Sequence, residues 1–570
     1  MKTIKQLKLA AAVAAGLALV GCGSDSDDNS GVPFERSLSM AANANQSVVD
    51  LTAIADQTCF DAGECSASGY TFPQDATFVP GTDGENITTV LQAIINGAGE
   101  NEVIVLPKGT FKVDASVQIS ASQNGLTLVG YGIDQTKLDF IDAPQDDGIK
   151  VLAANNIELR DFAVYEAAKN GIKVDQATGV LFNHVATIWE NPLTPGVEGT
   201  GLNGIYGLYP VGSEDVVMEY SYSKGSSDAG IYVGQTSNIV VRHSVAEHNV
   251  AGIEIENSSN ADVYGNVAFD NTGGLLVFDL DGLDKPFGSN IRIFDNDAYD
   301  NNLANAGSGF VGYVPQGTGA LILASDGVEM FNNRFENNNG QAIALTSYFL
   351  LFENPDLYSD TTVEGNFVST MMEGWSPVIN NIYIHDNTYK NNSTDPDLDV
   401  ETSLLAEVSF GYQYGQNFTG QAVTHPAVIY DGVGELLANT GMFDELKAPL
   451  SAGLGIDPYT FGDTICIENS VNENDNGNTL NVGYVFGTNP VEVHPTAMTP
   501  LNFVESVEGS GEYDTPNPTL RVEEIGSEGQ TLMVCSSSPA RLAASTATVN
   551  GVTYGCGTGG DDNGTGSCNL

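Results

Sequence analysis

From about residue 100 to 395 apolar and polar residues alternate in short runs, and the runs recur along the chain. The stretch Gly252-Ile253-Glu254-Ile255-Glu256-Asn257 shows the pattern. Apolar positions at period two read as a strand with one face buried and the other, carrying Glu254 and Glu256, turned to water. Gly-Ile pairs recur at Gly148-Ile149, Gly171-Ile172, Gly204-Ile205, Gly230-Ile231 and Gly252-Ile253, and Gly274-Leu275 continues them, in steps of 23, 33, 26, 22 and 22 residues. A second series runs out of phase: Asn156-Ile157, Gly179-Val180, Asp215-Val216, Asn238-Ile239, Asn260-Ala261, Asn290-Ile291, Gly327-Val328 and Asn381-Ile382. Each unit of about 22 residues therefore holds at least two short strands joined by a bend. Asn or Asp marks the bends, at Asp147, Asn170, Asn203, Asn249, Asn257, Asn266, Asn271 and Asn296. These side chains tolerate left-handed backbone and, stacked at a corner, form a ladder. No unit buries its own apolar face, whereas stacked units share one core. The predicted fold is all-β, a single-stranded parallel β-helix, right-handed because parallel crossovers wind that way.

The flanks read differently. Asn86 to Gly97, with Val90, Leu91, Ile94 and Ile95 apolar, predicts a short amphipathic helix that caps the open end of the solenoid. After Asn392 the repeat fades into Gly- and Asn-rich sequence with strand-like runs at 464–467, 480–485 and 531–535. At the other end Lys2, Lys5 and Lys8 precede an apolar run from Leu9 to Val20, too short to span a bilayer. Leu19-Val20-Gly21-Cys22 resembles a bacterial lipobox, which implies cleavage before Cys22 and its lipidation. The polar, acidic stretch after Cys22 suits a tether, and Gly23 in place of Asp resembles the outer-membrane sorting pattern. The expected organisation is signal peptide 1–21, tether 22–50, N-terminal cap 51–100, β-helix 101–395 and a small β-rich C-terminal region 396–570. The expected location is the outer membrane, facing the periplasm or the cell surface, with the lipid as the sole membrane attachment.

Composition narrows the partners. With 73 acids against 20 lysines and arginines, a net charge of −53 repels nucleic acid and anionic lipid. It also repels a polyuronate unless cations bridge the two. Most of these carboxylates serve solubility. Seven cysteines less the lipidated one leave six, enough for three disulfides in an oxidising compartment. The local pairs are Cys59–Cys65 and Cys556–Cys568, leaving Cys466–Cys535.

The repeat, together with Ile104 to Phe111 and Leu126 to Gly130, is similar to the right-handed parallel β-helix superfamily that includes pectate lyases. The nearer resemblance is to a family of envelope β-helix repeat proteins, many of them lipoproteins, without assigned activity. It covers roughly residues 100 to 395 and implies the fold but no reaction. Members of that family resemble proteins encoded beside a second exported protein, which implies such a partner here.

Breaks in the period mark loops, near 191–199, 279–288 and 305–319, and such insertions tend to gather on one ligand-binding face. Two residues after the glycines stand Lys150, Lys173, Tyr206, Tyr232, Glu254 and Leu276. Asp175 and Glu256 lie two further on, and Tyr209 one beyond that in its coil. Tyrosines beside carboxylates suit a sugar polymer: rings stack on sugar faces and acids bond hydroxyls. Tyr206, Tyr209, Tyr232 and Glu256 are the candidate substrate-binding residues. Lys173, Asp175 and Glu254 are the candidate catalytic residues of a polysaccharide lyase or glycoside hydrolase, with Arg242 a second candidate base. Glu254, Glu256, Asp279, Asp281 and Asp284 could hold a hard cation such as calcium. His184 and His243 occupy equivalent bends, where a structural role fits best. A protein-docking module is the remaining alternative, to be recognised by a broad exposed apolar patch.

Overall fold

The structure, a computed structural model, describes residues 39–41, 48–144, 146–193, 203–348, 356–359, 361–396, 427–431, 465–468, 471–472, 480–484, 522–525 and 539–556. The signal, Cys22 and the strand expected at 531–535 lie outside them. From Leu208 on each coil carries three strands, one more than the two series require, while in the two coils before it the second and third are continuous, as Ile157–Tyr165 and Thr178–Ile188. One coil runs Ala251–Glu256, Ser259–Tyr264 and Val267–Phe269. Each strand pairs in parallel with its counterpart in the next coil, Ala251–Glu256 with Gly273–Phe278, Ser259–Tyr264 with Ser289–Phe294, and Val267–Phe269 with Asp297–Tyr299. Three parallel sheets therefore run the length of the solenoid, called first, second and third here in the order a coil meets them.

Local chemistry fixes the corners. The bends take positive φ at Asn238, Asn260, Asn290, His184 and His243, among others. Asn249, Asn271, Asn301, Asn338 and Asn392 form one ladder, with amide-to-carbonyl bonds of 2.9–3.1 Å. Asn266, Asn296, Asn333 and Asn387 form another at 2.9–3.0 Å. Each satisfies buried main-chain groups that a corner would otherwise orphan. The glycine of the repeat answers a different need. A Cβ on Gly252 would lie 2.6 Å from the carbonyl oxygen of Gly274, so the coils stack too closely there for a side chain. Inside, Ile172, Leu208, Ile231, Ile253 and Leu275 are buried in the central core.

Three features depart from the expected plan. Leu208, not Ile205, pairs with Ile172 and Ile231, so the third coil of the series is set by Gly207 and its loop is longer than the spacing implied. The sheets also continue beyond residue 395. Val428–Tyr430 pairs with Gln341–Thr346, Leu480–Tyr484 with Val428–Tyr430, and Ile465–Glu468 with Asn380–His385. Third, the outer side of the first sheet is not open to water. Loops 279–288 and 300–317 and the described residues between 347 and 379 pack on it through Leu280, Val311, Val314, Tyr348, Phe367 and Trp375, over Tyr232, Leu276 and Phe278.

The ends are closed as the edge problem demands. The helix Thr88–Gly97 buries Leu91 and Ile95 at the N-terminal end. The strand Val522–Ile525 pairs antiparallel with Leu480–Tyr484 at the other. Cys59 and Cys65 are bonded as expected. Cys466 and Cys556 are disulfide-bonded too, while their expected partners Cys535 and Cys568 lie outside the described residues.

The outer side of the second sheet carries a C-terminal strap. Arg541 bonds Glu329, and the Leu542 amide donates to Glu329 at 2.8 Å. Ala547 and Val549 pack on Leu181, Val217 and Val240, and Asn550 reaches Glu158 at 2.8 Å. The strap thus crosses the strands from late coils back to early ones. Beneath it the buried acids are paired. Arg292 grips Asp262 in a bidentate bond at 2.5 and 2.8 Å, and Arg242 grips Glu219 at 2.6 and 2.9 Å. His385 reaches Glu329 at 3.1 Å.

Candidate functional site

The column expected on the first sheet exists with one exchange. Register places Lys150, Lys173, Tyr209, Tyr232, Glu254 and Leu276 in line. Tyr209 takes the place expected for Tyr206, because Gly207 and not Gly204 begins that strand. Tyr206 still joins the group from the preceding bend. Its ring centre lies 4.4 Å from that of Tyr232 and 4.5 Å from that of Tyr209, and Tyr209 and Tyr232 are 5.0 Å apart.

Three carboxyls converge beside these rings. Glu254 and Glu256 come from one strand, and Asp228 comes from the bend before Ala229–Gly234. Main chain holds Asp228 in place: its amide donates to Ile205 and its carbonyl accepts from Ala251. Tyr232 donates to Glu256 at 2.5 Å. Glu254 is 2 % exposed. Its Oε2 and the Oδ1 of Asp228 are out of solvent with no hydrogen-bond partner. Burial pushes Glu254 well above the ordinary carboxylate range, and the charges of Asp228 and Glu256 add to that. Asp228 rises for the same reasons, burial first and Glu256 second. Burial lifts Glu256 to about 7 against the Tyr232 bond that lowers it. The charges that raise Asp228 and Glu254 come from within this group. Burial also raises Tyr232 and Tyr206, which keeps both hydroxyls protonated as donors.

The other expected groupings are rearranged. Lys173 and Asp175 pair with each other at 3.3 Å, partly exposed. They lie three coil steps, about 14 Å, from Glu254, so the catalytic trio does not form one constellation. Lys173 instead stands 5.2 Å over the Tyr209 ring. Arg242 belongs to the second sheet and is committed to Glu219, so it is no base for this site. Nor do the five acids assigned to a cation converge. Asp279 accepts from the Gly288 amide at 2.9 Å and feels the Lys285 charge. Asp281 has a buried Oδ1 with no hydrogen-bond partner, and Asp284 is exposed. Among the described residues no three His, Cys, Asp or Glu side chains are grouped to hold a metal. His184 and His243 lie at corners, stacked on either side of Tyr220 at 5.1 and 5.2 Å.

Two features escaped the sequence. Asp228 belongs to the site, and its signal is a mismatch: the same register holds Val250 and Thr272 in the next coils. The loop 347–379 was marked by the 54-residue step from Gly327 to Asn381.

Stacked parallel coils of three strands, with one outer face buried by loops over unpaired acids, define a repeat protein that carries a site on its flank. The family model described as a right handed beta helix region matches residues 186–368 of this chain. No curated protein matches it. Solved structures do. The A-module of a mannuronan C-5 epimerase from Azotobacter vinelandii is 16 % identical, with 56 % of this chain and 87 % of that one covered and a TM-score of 0.38. A mutant DFA-IIIase from Arthrobacter chlorophenolicus is 12 % identical, with 63 % and 93 % covered and a TM-score of 0.38. The catalytic unit of an α-1,3-glucanase from Streptomyces thermodiastaticus is 15 % identical, with 63 % and 51 % covered and a TM-score of 0.32.

Proposed function

We propose that this chain is a lipid-anchored β-helix of the outer membrane that binds a carbohydrate polymer along the flank of its first sheet. The observation that carries the reading is the gradient along one column. Partly exposed Lys173, Asp175 and Tyr209 lead to buried Tyr232, Glu254 and Glu256. A sugar chain laid across the coils meets the partly exposed Tyr206 and Tyr209 ring faces, with the buried acids behind them. Buried acids without cations cost folding stability, and groups kept at such a cost mark functional sites. The anchor follows from Leu19 to Cys22, whose pattern is that of a lipobox.

Cleavage of the polymer is the second reading, and one observation favours it. Glu256 titrates at about 7, close to the pH at which it would act, as a general acid needs. The test is a glycan array run with a reducing-sugar and unsaturated-product assay, on wild type and Tyr209→Ala. The expected result is one class of oligosaccharide bound, about tenfold or more weaker in the variant. Absence of any bound glycan would overturn the reading in favour of protein docking.

A further inference from the structure

We infer that the sugar held at this site carries a protonated amine. The inference rests on the carbohydrate reading above and concerns what Asp228, Glu254 and Glu256 select. On the second sheet this protein pairs its buried acids with cations. Asp262 has Arg292, Glu219 has Arg242, and Glu329 has His385 and Arg541. At the trio, the nearest lysine of the column, Lys173, is spent on Asp175. Glu254 Oε2 and Asp228 Oδ1 are left without donors inside the protein. A cation is therefore the ligand chemistry that completes the site.

The shape of the missing cation is also constrained. The described residues form no arrangement suited to a bare metal ion. An ammonium differs from a metal ion in two ways. Its N–H donors are directional and suit the two oxygens that lack donors, one on Glu254 and one on Asp228. It is also attracted to aromatic faces, and three tyrosine rings within 5.0 Å of one another stand beside the acids. A neutral sugar hydroxyl supplies one donor and no charge. A uronate would add a fourth negative charge to the cluster. An amino sugar in a polymer supplies both the ring to stack on tyrosine and the ammonium to meet the acids.

The experiment is calorimetric binding of a glucosamine tetramer, its fully N-acetylated form and a neutral glucose tetramer at about 150 mM sodium chloride. Wild type should bind the free amine about tenfold or more tightly than either other ligand. Glu254→Gln, which keeps shape and removes charge, should erase that preference. Asp228→Asn, outside the strand, reads the same if the first variant fails to fold. Equal binding of the acetylated or neutral tetramer overturns the amine while leaving the carbohydrate reading intact. A preference that survives both substitutions assigns it to the acidic surface and also overturns the inference. Stoichiometric displacement by calcium, dependent on Glu254, would make the trio a metal site instead. Failure of every glycan to bind removes the underlying reading itself.

Discussion

The outer faces of the first and second sheets both bury carboxylates and provide for them differently. On the second sheet each one meets a cation, and the strap seals the pairs from above. On the first sheet inserted loops seal the face, yet Glu254 Oε2 and Asp228 Oδ1 meet no donor and Glu256 is held by Tyr232. The backbone frame is the same in both places, so the fold does not dictate the difference. It lies in which residues the sequence puts at outward positions. A buried pair is a structural solution, while a buried unpaired cluster stores repulsion that a ligand can relieve.

The sharpest way to break this comparison is to unpair the second sheet. Arg292→Leu leaves Asp262 buried and alone, and should cost about 3–5 kcal/mol in denaturant unfolding. A loss below about 1 kcal/mol would mean that the pairs there are no more structural than the trio.

The next effect should have the opposite sign. Glu256 binds its proton at about 7 in the folded protein and near 4.5 when unfolded. The folded state therefore holds more protons between those values, and stability falls as pH rises through that window. Glu256→Gln should remove this slope and gain up to about 3 kcal/mol above pH 7, with no gain below about pH 4. Glu329 behaves in reverse. Bonds from His385, Leu542 and Arg541 hold it below its usual value despite burial. Its contribution is present above that value and lost as pH falls. Melting curves across pH would show whether the Glu256→Gln gain is confined to the high side.

The smallest effect belongs to the exposed end of the column. Lys173→Met breaks a partly exposed pair with Asp175 and should change stability by less than about 1 kcal/mol. A larger loss, seen in the same melts, would place Lys173 with the structural pairs.

The fold was legible because stacking imposes period two on the strands and about 22 residues on the coils, and Ile253, Leu275 and the asparagines obey both. The column was legible for the same reason, apart from one coil. There the Gly204-Ile205 pair imitates the repeat three residues ahead of Gly207-Leu208, and local spacing cannot tell two such glycines apart. Burial of the outer face was not legible. Alternation makes Glu254 look wet, because it records only which residues face the core and not what a loop more than 20 residues away lays over the other side. Asp228 was hidden by its place in a bend, where an acid looks ordinary. The metal grouping of Asp279, Asp281 and Asp284 failed because nearness in sequence within a loop says nothing about where its side chains turn.

The strap has a consequence for how the solenoid comes apart. In a stacked array each coil touches only its neighbours, so such a fold melts like a zipper, fraying from whichever end is weaker. Residues 541–550 connect coils that do not touch, from Glu329 back to Glu158. No coil between those points can open without peeling this segment away from the rest. A one-dimensional stack thereby acquires a second dimension of connectivity, and the span that holds the carboxyl cluster opens as a block or not at all.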